Sequence, residues 1–123
     1  MKINITNVEC ISYPMTYKTL IAKLSEAIGI EPPFGITISD FLFKYRGQLQ
    51  PLQIEIVGVQ EVKSNLGYQE TVRFYKEILK TSSFNELSIN VVNLKNAEKC
   101  KGDTMFEKLI NVFQEHDVEI ILN

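Results

Sequence analysis

The sequence predicts an α/β fold in which a mostly parallel, three- or four-stranded sheet is flanked by helices. Segments rich in β-branched residues, with near-alternating apolar positions, are separated by segments whose apolar residues recur at helical spacing. The chain has 123 residues, of which 45% are hydrophobic and 23% charged, as is ordinary for one globular domain. No linker or repeat divides it, so we predict a single domain over residues 1–123.

The first predicted strand spans residues 3–13 and is ended by Pro14, which cannot continue a strand ladder. Residues 16–28 then place apolar side chains at helical spacing, with charged side chains on the opposite face. Thr16 is a candidate N-cap of this helix, and Gly29 is a suitable stop because glycine adopts the left-handed conformation that ends helices.

A rigid connector and a short helix follow. Residues 31–35 contain two consecutive prolines and a glycine, which predicts a stiff turn. Residues 37–45 carry one apolar stripe at helical spacing, and the helix they predict ends at Arg46-Gly47. Thr37 or Ser39 is its candidate cap, and Asp40 suits the positive end of the helix dipole.

The second half repeats the alternation of strands and helices. We predict strands over residues 52–62, 87–94 and 118–122, and helices over residues 69–81 and 104–116. The predicted order of elements along the chain is therefore β-α-α-β-α-β-α-β. Strands that alternate with helices in this way favour a layered, mostly parallel sheet.

Charge and composition argue against several classes of function. The chain has 13 basic and 15 acidic residues, a net charge of −2, and no polybasic run, which disfavours binding to nucleic acid or to anionic membranes. No apolar run is long enough to span a bilayer, and the N-terminus lacks the apolar core of a signal peptide. Cys10 and Cys100 form no disulfide framework, so we expect a cytoplasmic protein with Cys10 in the core and Cys100 on the surface.

Motifs for catalysis and for cofactors are absent from the sequence. There is no phosphate-binding loop, no dinucleotide-binding glycine pattern and no nucleophile elbow, and a single histidine excludes a His-rich metal centre. We therefore expect no cofactor, no metal and no enzymatic activity. One alternative is a small enzyme that uses Glu115 and His116, or Cys100; another is a generic protein-interaction module.

The short helix carries one aromatic side chain that its apolar stripe does not explain. At 100° per residue Ile38, Phe41, Leu42 and Tyr45 form the stripe, whereas Phe43 lies well away from its centre. Phe43 is then either an additional core residue or an exposed anchor for a protein partner.

Two separate blocks of the chain resemble barstar, the bacterial ribonuclease inhibitor. In the first block, residues 30–35 form an acidic-aromatic-glycine turn, residues 38–43 a short helix with an aspartate and aromatics, and residues 51–55 a Pro-Leu-x-x-Glu strand. In the second block, residues 112–115 read Val-Phe-Gln-Glu and residues 117–123 form a final strand with Ile-Ile-Leu. The resemblance implies a barstar-like fold and a function as an immunity protein or antitoxin.

In that family the turn and the short helix enter the active site of the ribonuclease and block it, so the resemblance implies a partner-binding face on these two segments. Phe34 matches the aromatic residue of the turn, Gly35 its glycine, and Glu115 the acidic residue on the last helix. With one residue inserted in the turn, Asp40 takes the position of the first helix aspartate and Phe43 that of the aromatic residue. Opposite charges at such a face speed the encounter with a basic nuclease site.

The chain also departs from the family pattern. With the insertion, Lys44 stands where the family has its second aspartate; without it, Ser39 and Phe43 occupy the two aspartate positions. The number of acids on the face is reduced in both cases, which favours an immunity protein against a different nuclease toxin. The middle segment, about residues 57–103, is longer than that of the family. The predicted partner contacts are Glu31, Phe34, Asp40, Phe43, Lys44 and Glu115.

Overall fold

A computed structural model describes residues 1–123 and contains one sheet of three parallel strands. The strands are β1 (Lys2–Thr6), β2 (Gln53–Val57) and β3 (Glu119–Leu122), and they lie side by side in the order β1-β2-β3. Both neighbouring pairs are parallel. The predicted α/β class and parallel sheet are confirmed, with three strands rather than four.

Seven helices complete the fold. They are α1 (Tyr13–Ile28), α2 (Ile38–Lys44), α3 (Arg46–Leu49), α4 (Val59–Asn65), α5 (Tyr68–Leu79), α6 (Phe84–Glu98) and α7 (Met105–Glu115). None of them combines the length and the apolar character that crossing a membrane requires.

The sheet has one apolar face and one polar face. Both crossovers lead from one strand to the next in the same direction, so right-handed connections place the crossover helices on one side. On that side the strands bury Ile3, Ile5, Ile54 and Ile56. The opposite face is largely polar and is tied together by a 2.6 Å hydrogen bond from Gln53 to Glu119. It carries Lys2, Asn4, Gln53, Glu55 and Glu119.

The first strand and the first helix differ from the predicted boundaries. β1 ends at Thr6, and turns lead to Ser12, whose Oγ accepts a 3.4 Å hydrogen bond from the N–H of Met15. Ser12 is therefore the N-cap of α1, and the predicted cap Thr16 is a buried helical residue. Pro14 sits in the first turn of α1, where its missing N–H costs nothing.

The predicted strand over residues 52–62 is two elements. Its apolar alternation holds through Ile54 and Ile56, but Gly58 then adopts a positive φ of 76° and α4 begins at Val59. Val62 is buried as a helical residue. The error arose because a valine-rich run also matches a short helix once its strand ends.

The predicted strand over residues 87–94 is wrong, because this segment lies inside α6. Leu87, Ile89 and Val91 alternate in sequence, which resembles a strand, yet the helix packs against α5 and buries Ala97. Leu87 and Ile89 remain exposed on its outer side. The predicted order of elements is corrected accordingly: residues 59–98 contribute three helices and no strand.

The core lies between the sheet and the helices, with Phe41 of α2 and Phe113 of α7 both fully buried. Several predicted helix ends are confirmed: Gly29 ends α1 with a φ of 75°, and Thr104 forms a capping box at the start of α7. The short predicted helix ends at Lys44, and a separate one-turn helix starts at Arg46 instead of a loop.

Candidate partner-binding site

Helix α2 presents an exposed stripe of three dissimilar side chains. Thr37 caps the helix, and its Oγ1 accepts a 3.0 Å hydrogen bond from the N–H of Asp40. Ile38, Phe41 and Leu42 are buried, so the remaining face is left to solvent. That face carries Asp40, Phe43 and Lys44, which follow one another at i, i+3 and i+4.

Phe43 is an exposed aromatic side chain, at 75% of its full accessibility. A ring on the solvent side of a short helix adds nothing to the core, and a phenyl group in water is unfavourable. Lys44 is the next residue, and its Nζ lies over the ring of Tyr45, 5.4 Å from the ring centroid. The sequence-based alternative that Phe43 is a core residue is therefore wrong.

The proline connector that precedes α2 carries a second exposed ring. Phe34 is fully exposed, and Gly35 after it has a φ of 71°, a conformation that disfavours any side chain there. Pro32 and Pro33 fix the backbone that leads to Phe34. The structure therefore holds Phe34 on a stiff projection.

A mostly apolar groove of about 560 Å³ lies between this connector and α1. Tyr17 and Ile21 form its α1 side, while Pro33, Phe34 and Thr37 form the opposite side. The groove therefore reaches from the exposed ring of Phe34 to the N-cap of α2.

Tyr17 connects the groove to the charged end of α2. Burial raises the pKa of its hydroxyl above the ordinary value, and the nearby Tyr13 and the carboxylate of Asp40 raise that pKa further. Thr37 lines the groove, and its Oγ1 accepts the hydrogen bond from the N–H of Asp40, so Asp40 follows directly on the end of the groove.

The other side of α2 meets the turn between α7 and β3. The Oγ of Ser39 lies 2.8 Å from the Nε2 of His116, which is the C-cap of α7, as the sequence predicted. Gln50 donates a 3.0 Å hydrogen bond to the carbonyl oxygen of the same histidine. Arg46 and Asp117 form a 2.8 Å ion pair beside it. These contacts fix α2 and α3 against the end of α7.

All six predicted contact residues are exposed, but the structure does not bring all of them together. Asp40, Phe43 and Lys44 share the stripe on α2, and Phe34 lies beside the groove that reaches the cap of that helix. Glu115 directly precedes His116, which contacts α2 through Ser39. Glu31 lies in the connector, and no hydrogen bond or ion pair joins it to the other five. We call Phe34, Asp40, Phe43, Lys44 and Glu115 the candidate face.

The charged members of the candidate face have no ion-pair partner within the protein. Asp40, Lys44 and Glu115 take part in none of the five ion pairs of the structure. Two carboxylates and one ammonium group give the face a mild negative balance. Such charges are free to pair across an interface, and the two rings can supply buried apolar area there.

The residues named for the enzymatic alternative lie apart. Cys100 is exposed in the loop after α6, whereas Glu115 and His116 are at the end of α7. Cys100, Glu115 and His116 line none of the cavities at Glu70, at Phe34, at Phe74, at Lys108 and at Lys23. No cluster of histidine, cysteine, aspartate and glutamate side chains is arranged to hold a metal ion.

Sequence reasoning missed two parts of this surface. The contribution of Tyr17 depends on α1 packing beside the connector, and the contact between Ser39 and His116 joins residues 77 positions apart. No local pattern signals either contact, since both depend on how distant elements pack.

Comparisons of the chain with known protein families, with curated proteins and with solved structures find no significant match.

Proposed function

We propose that this protein is a barstar-like immunity protein, an antitoxin that binds a nuclease toxin and covers its active site. The proposal combines the resemblance of the turn and of the last helix to the ribonuclease-inhibitor family with the exposure of the candidate face. The observation that carries it is the pair of exposed phenylalanines, Phe34 and Phe43, beside the unpaired carboxylate of Asp40.

The mode of binding follows from the kinds of side chain on the face. Phe34 and Phe43 would be buried against the rim of the toxin, since aromatic residues, phenylalanine included, are enriched in the buried part of protein interfaces. Asp40 and Glu115 would face cationic groups that normally bind the phosphates of RNA. Lys44 would pair with an acidic group of the toxin and so restrict which toxin is bound.

The charge of the candidate face argues for anchoring by the rings more than by the acids. Its two carboxylates are partly offset by Lys44, so long-range attraction to a basic site is modest. We therefore expect the affinity to depend weakly on salt and strongly on Phe43. A purely acidic phosphate mimic would show the reverse dependence.

The test uses a double variant on the candidate face and a matched double variant elsewhere. The immobilised protein captures its partner from cells of its own source, and the eluted partner is assayed for ribonuclease activity with each variant added back. Asp40→Ala/Phe43→Ala should weaken inhibition at least about a hundredfold, as expected for a central aromatic anchor and a paired charge. Phe84→Ala/Glu86→Ala removes an exposed ring and an acid from α6 and should inhibit like the unmodified protein.

Two outcomes would contradict the proposal. The first is a captured partner with no nuclease activity, or with an activity that the purified chain does not inhibit. The second is equal inhibition by the two double variants, which would remove the candidate face from the interface. His116→Ala tests the enzymatic alternative: inhibition by covering requires no chemistry, so this variant should still inhibit once its fold is verified.

A further inference from the structure

We propose that a small polar cavity between α5, α6 and α7 binds a phosphate group, independently of the candidate face. The cavity has a volume of about 210 Å³. Its lining includes Asn93 and Asn96 of α6, Lys101 of the following loop and Lys108 of α7. Helix α6, which contains the segment predicted as a strand, therefore forms part of the wall of this cavity.

Four residues with side-chain donor groups line the cavity, and none of these groups has an acceptor in the protein. The ammonium groups of Lys101 and Lys108 form no ion pair and no hydrogen bond, and the side-chain amides of Asn93 and Asn96 form no hydrogen bond either. The Nζ of Lys108 lies 5.5 Å from the ring centroid of Tyr75, which also lines the cavity. Lysine offers donors only, and an amide nitrogen offers two more. An oxyanion with several acceptor oxygens can satisfy all four groups at once.

One carboxylate also lines the cavity. Asp103 accepts a 3.3 Å hydrogen bond from the side-chain amide of Asn111, which engages one of its oxygens. Two ammonium groups against one carboxylate leave the lining with one excess positive charge, which favours an anionic ligand.

The volume of the cavity is suited to a small ligand group. Clefts for drug-sized molecules usually measure roughly 300–1,000 Å³, so this cavity suits a single phosphate with its hydration better than a whole organic ligand. The side chains, rather than the start of α7, would hold it. The first two N–H groups of α7 have acceptors outside the helix: Met105 donates to the Thr71 hydroxyl at 3.0 Å, and Phe106 donates to the Leu66 carbonyl at 3.0 Å.

The experiment is a titration of ¹⁵N-labelled protein at constant ionic strength with inorganic phosphate, with AMP and with adenosine. Phosphate should bind saturably and shift the side-chain amide signals of Asn93 and Asn96. Lys101→Gln and Lys108→Gln should each weaken binding about tenfold, because a charge-assisted hydrogen bond to phosphate is among the stronger polar contacts. Lys99→Gln removes the same charge next to the loop, outside the lining, and should change binding less than about twofold.

The three ligands separate the possible sources of the phosphate. If phosphate and AMP shift the same signals with similar affinity while adenosine shifts none, the cavity recognises the phosphate group itself. If AMP shifts the same signals but binds more tightly than phosphate, the cavity recognises the phosphate group of a nucleotide. The proposal is overturned if the shifts grow linearly without saturation, if the two amides are unaffected, or if Lys99→Gln weakens binding as much as the other two variants. None of these results depends on inhibition of a toxin.

Discussion

Replacing Glu70 by alanine should destabilise the protein more than any replacement of an exposed acid. The Glu70 side chain is only 9% exposed and lies on α5. It accepts a 3.2 Å hydrogen bond from the N–H of Tyr13, at the start of α1, and also bonds the guanidinium group of Arg73. One carboxylate thus joins α5 to the first residue of α1, which lies 57 positions earlier in the chain.

The cost can be estimated from these contacts. Removing the carboxylate leaves the partly buried N–H of Tyr13 without an acceptor, which costs about 1–3 kcal/mol. Arg73 is 46% exposed and can regain water, so its lost pairing adds only about 0–1 kcal/mol. We expect a loss of roughly 2–3 kcal/mol in the free energy of unfolding for Glu70→Ala. Glu70→Gln keeps an acceptor for Tyr13 and should cost about half as much.

Urea denaturation followed by circular dichroism at neutral pH measures both values. Glu77→Ala is the matched control, because Glu77 is on the same helix and pairs with Lys80 on the surface at 3.1 Å. That exposed pair should contribute about 0–1 kcal/mol. Equal losses for Glu70→Ala and Glu77→Ala would refute the claim that Glu70 anchors the start of α1.

Three further predictions test the core, the cysteines and an ion pair. Phe113→Ala should cost about 3–5 kcal/mol in urea denaturation, since Phe113 is fully buried; a loss below about 1 kcal/mol would contradict its packing. A thiol reagent should label Cys100 at once and Cys10 only after unfolding, because burial raises the pKa of the Cys10 thiol and shields it. The hydrogen bond from Lys23 lowers the pKa of Glu9, against the opposing effect of its partial burial, so the stability contributed by the carboxylate is present at neutral pH and lost as the pH falls through that lowered pKa. The difference in unfolding free energy between the unmodified protein and Glu9→Gln, below about 1 kcal/mol, should therefore shrink toward acid pH, and a constant difference would contradict the pairing.

The spacing of apolar residues predicted an element correctly where that element buries only one of its sides. The stripe Ile38, Phe41 and Leu42 identified α2, and the angle of Phe43 around the helix placed it away from that stripe. The sequence left Phe43 open between the core and the surface, and the structure shows that it is exposed. Thr37 was one of two predicted caps of α2, and the start of α7 was predicted at Thr104; both threonines accept hydrogen bonds from residues three positions later.

The spacing of apolar residues predicted the wrong element where both sides of a helix carry apolar residues. α6 has Leu94 and Ala97 toward the core and Ile89 and Val92 toward solvent, so apolar residues occur on both sides of the helix and its sequence contains an alternation that resembles a strand. The buried Glu70 was missed for a different reason, because its burial depends on the start of α1 lying beside α5. Neither the groove at Tyr17 nor the phosphate cavity has a sequence signature.

The one-sided sheet offers practical access to the molecule. Its polar face points away from the helical layer, and Lys2 and Glu119 are exposed on it. A dye, a biotin or a sensor surface attached there would leave α2 and the phenylalanine projections unobstructed. Attachment through lysines on the helical layer would instead obscure the residues whose contacts are in question.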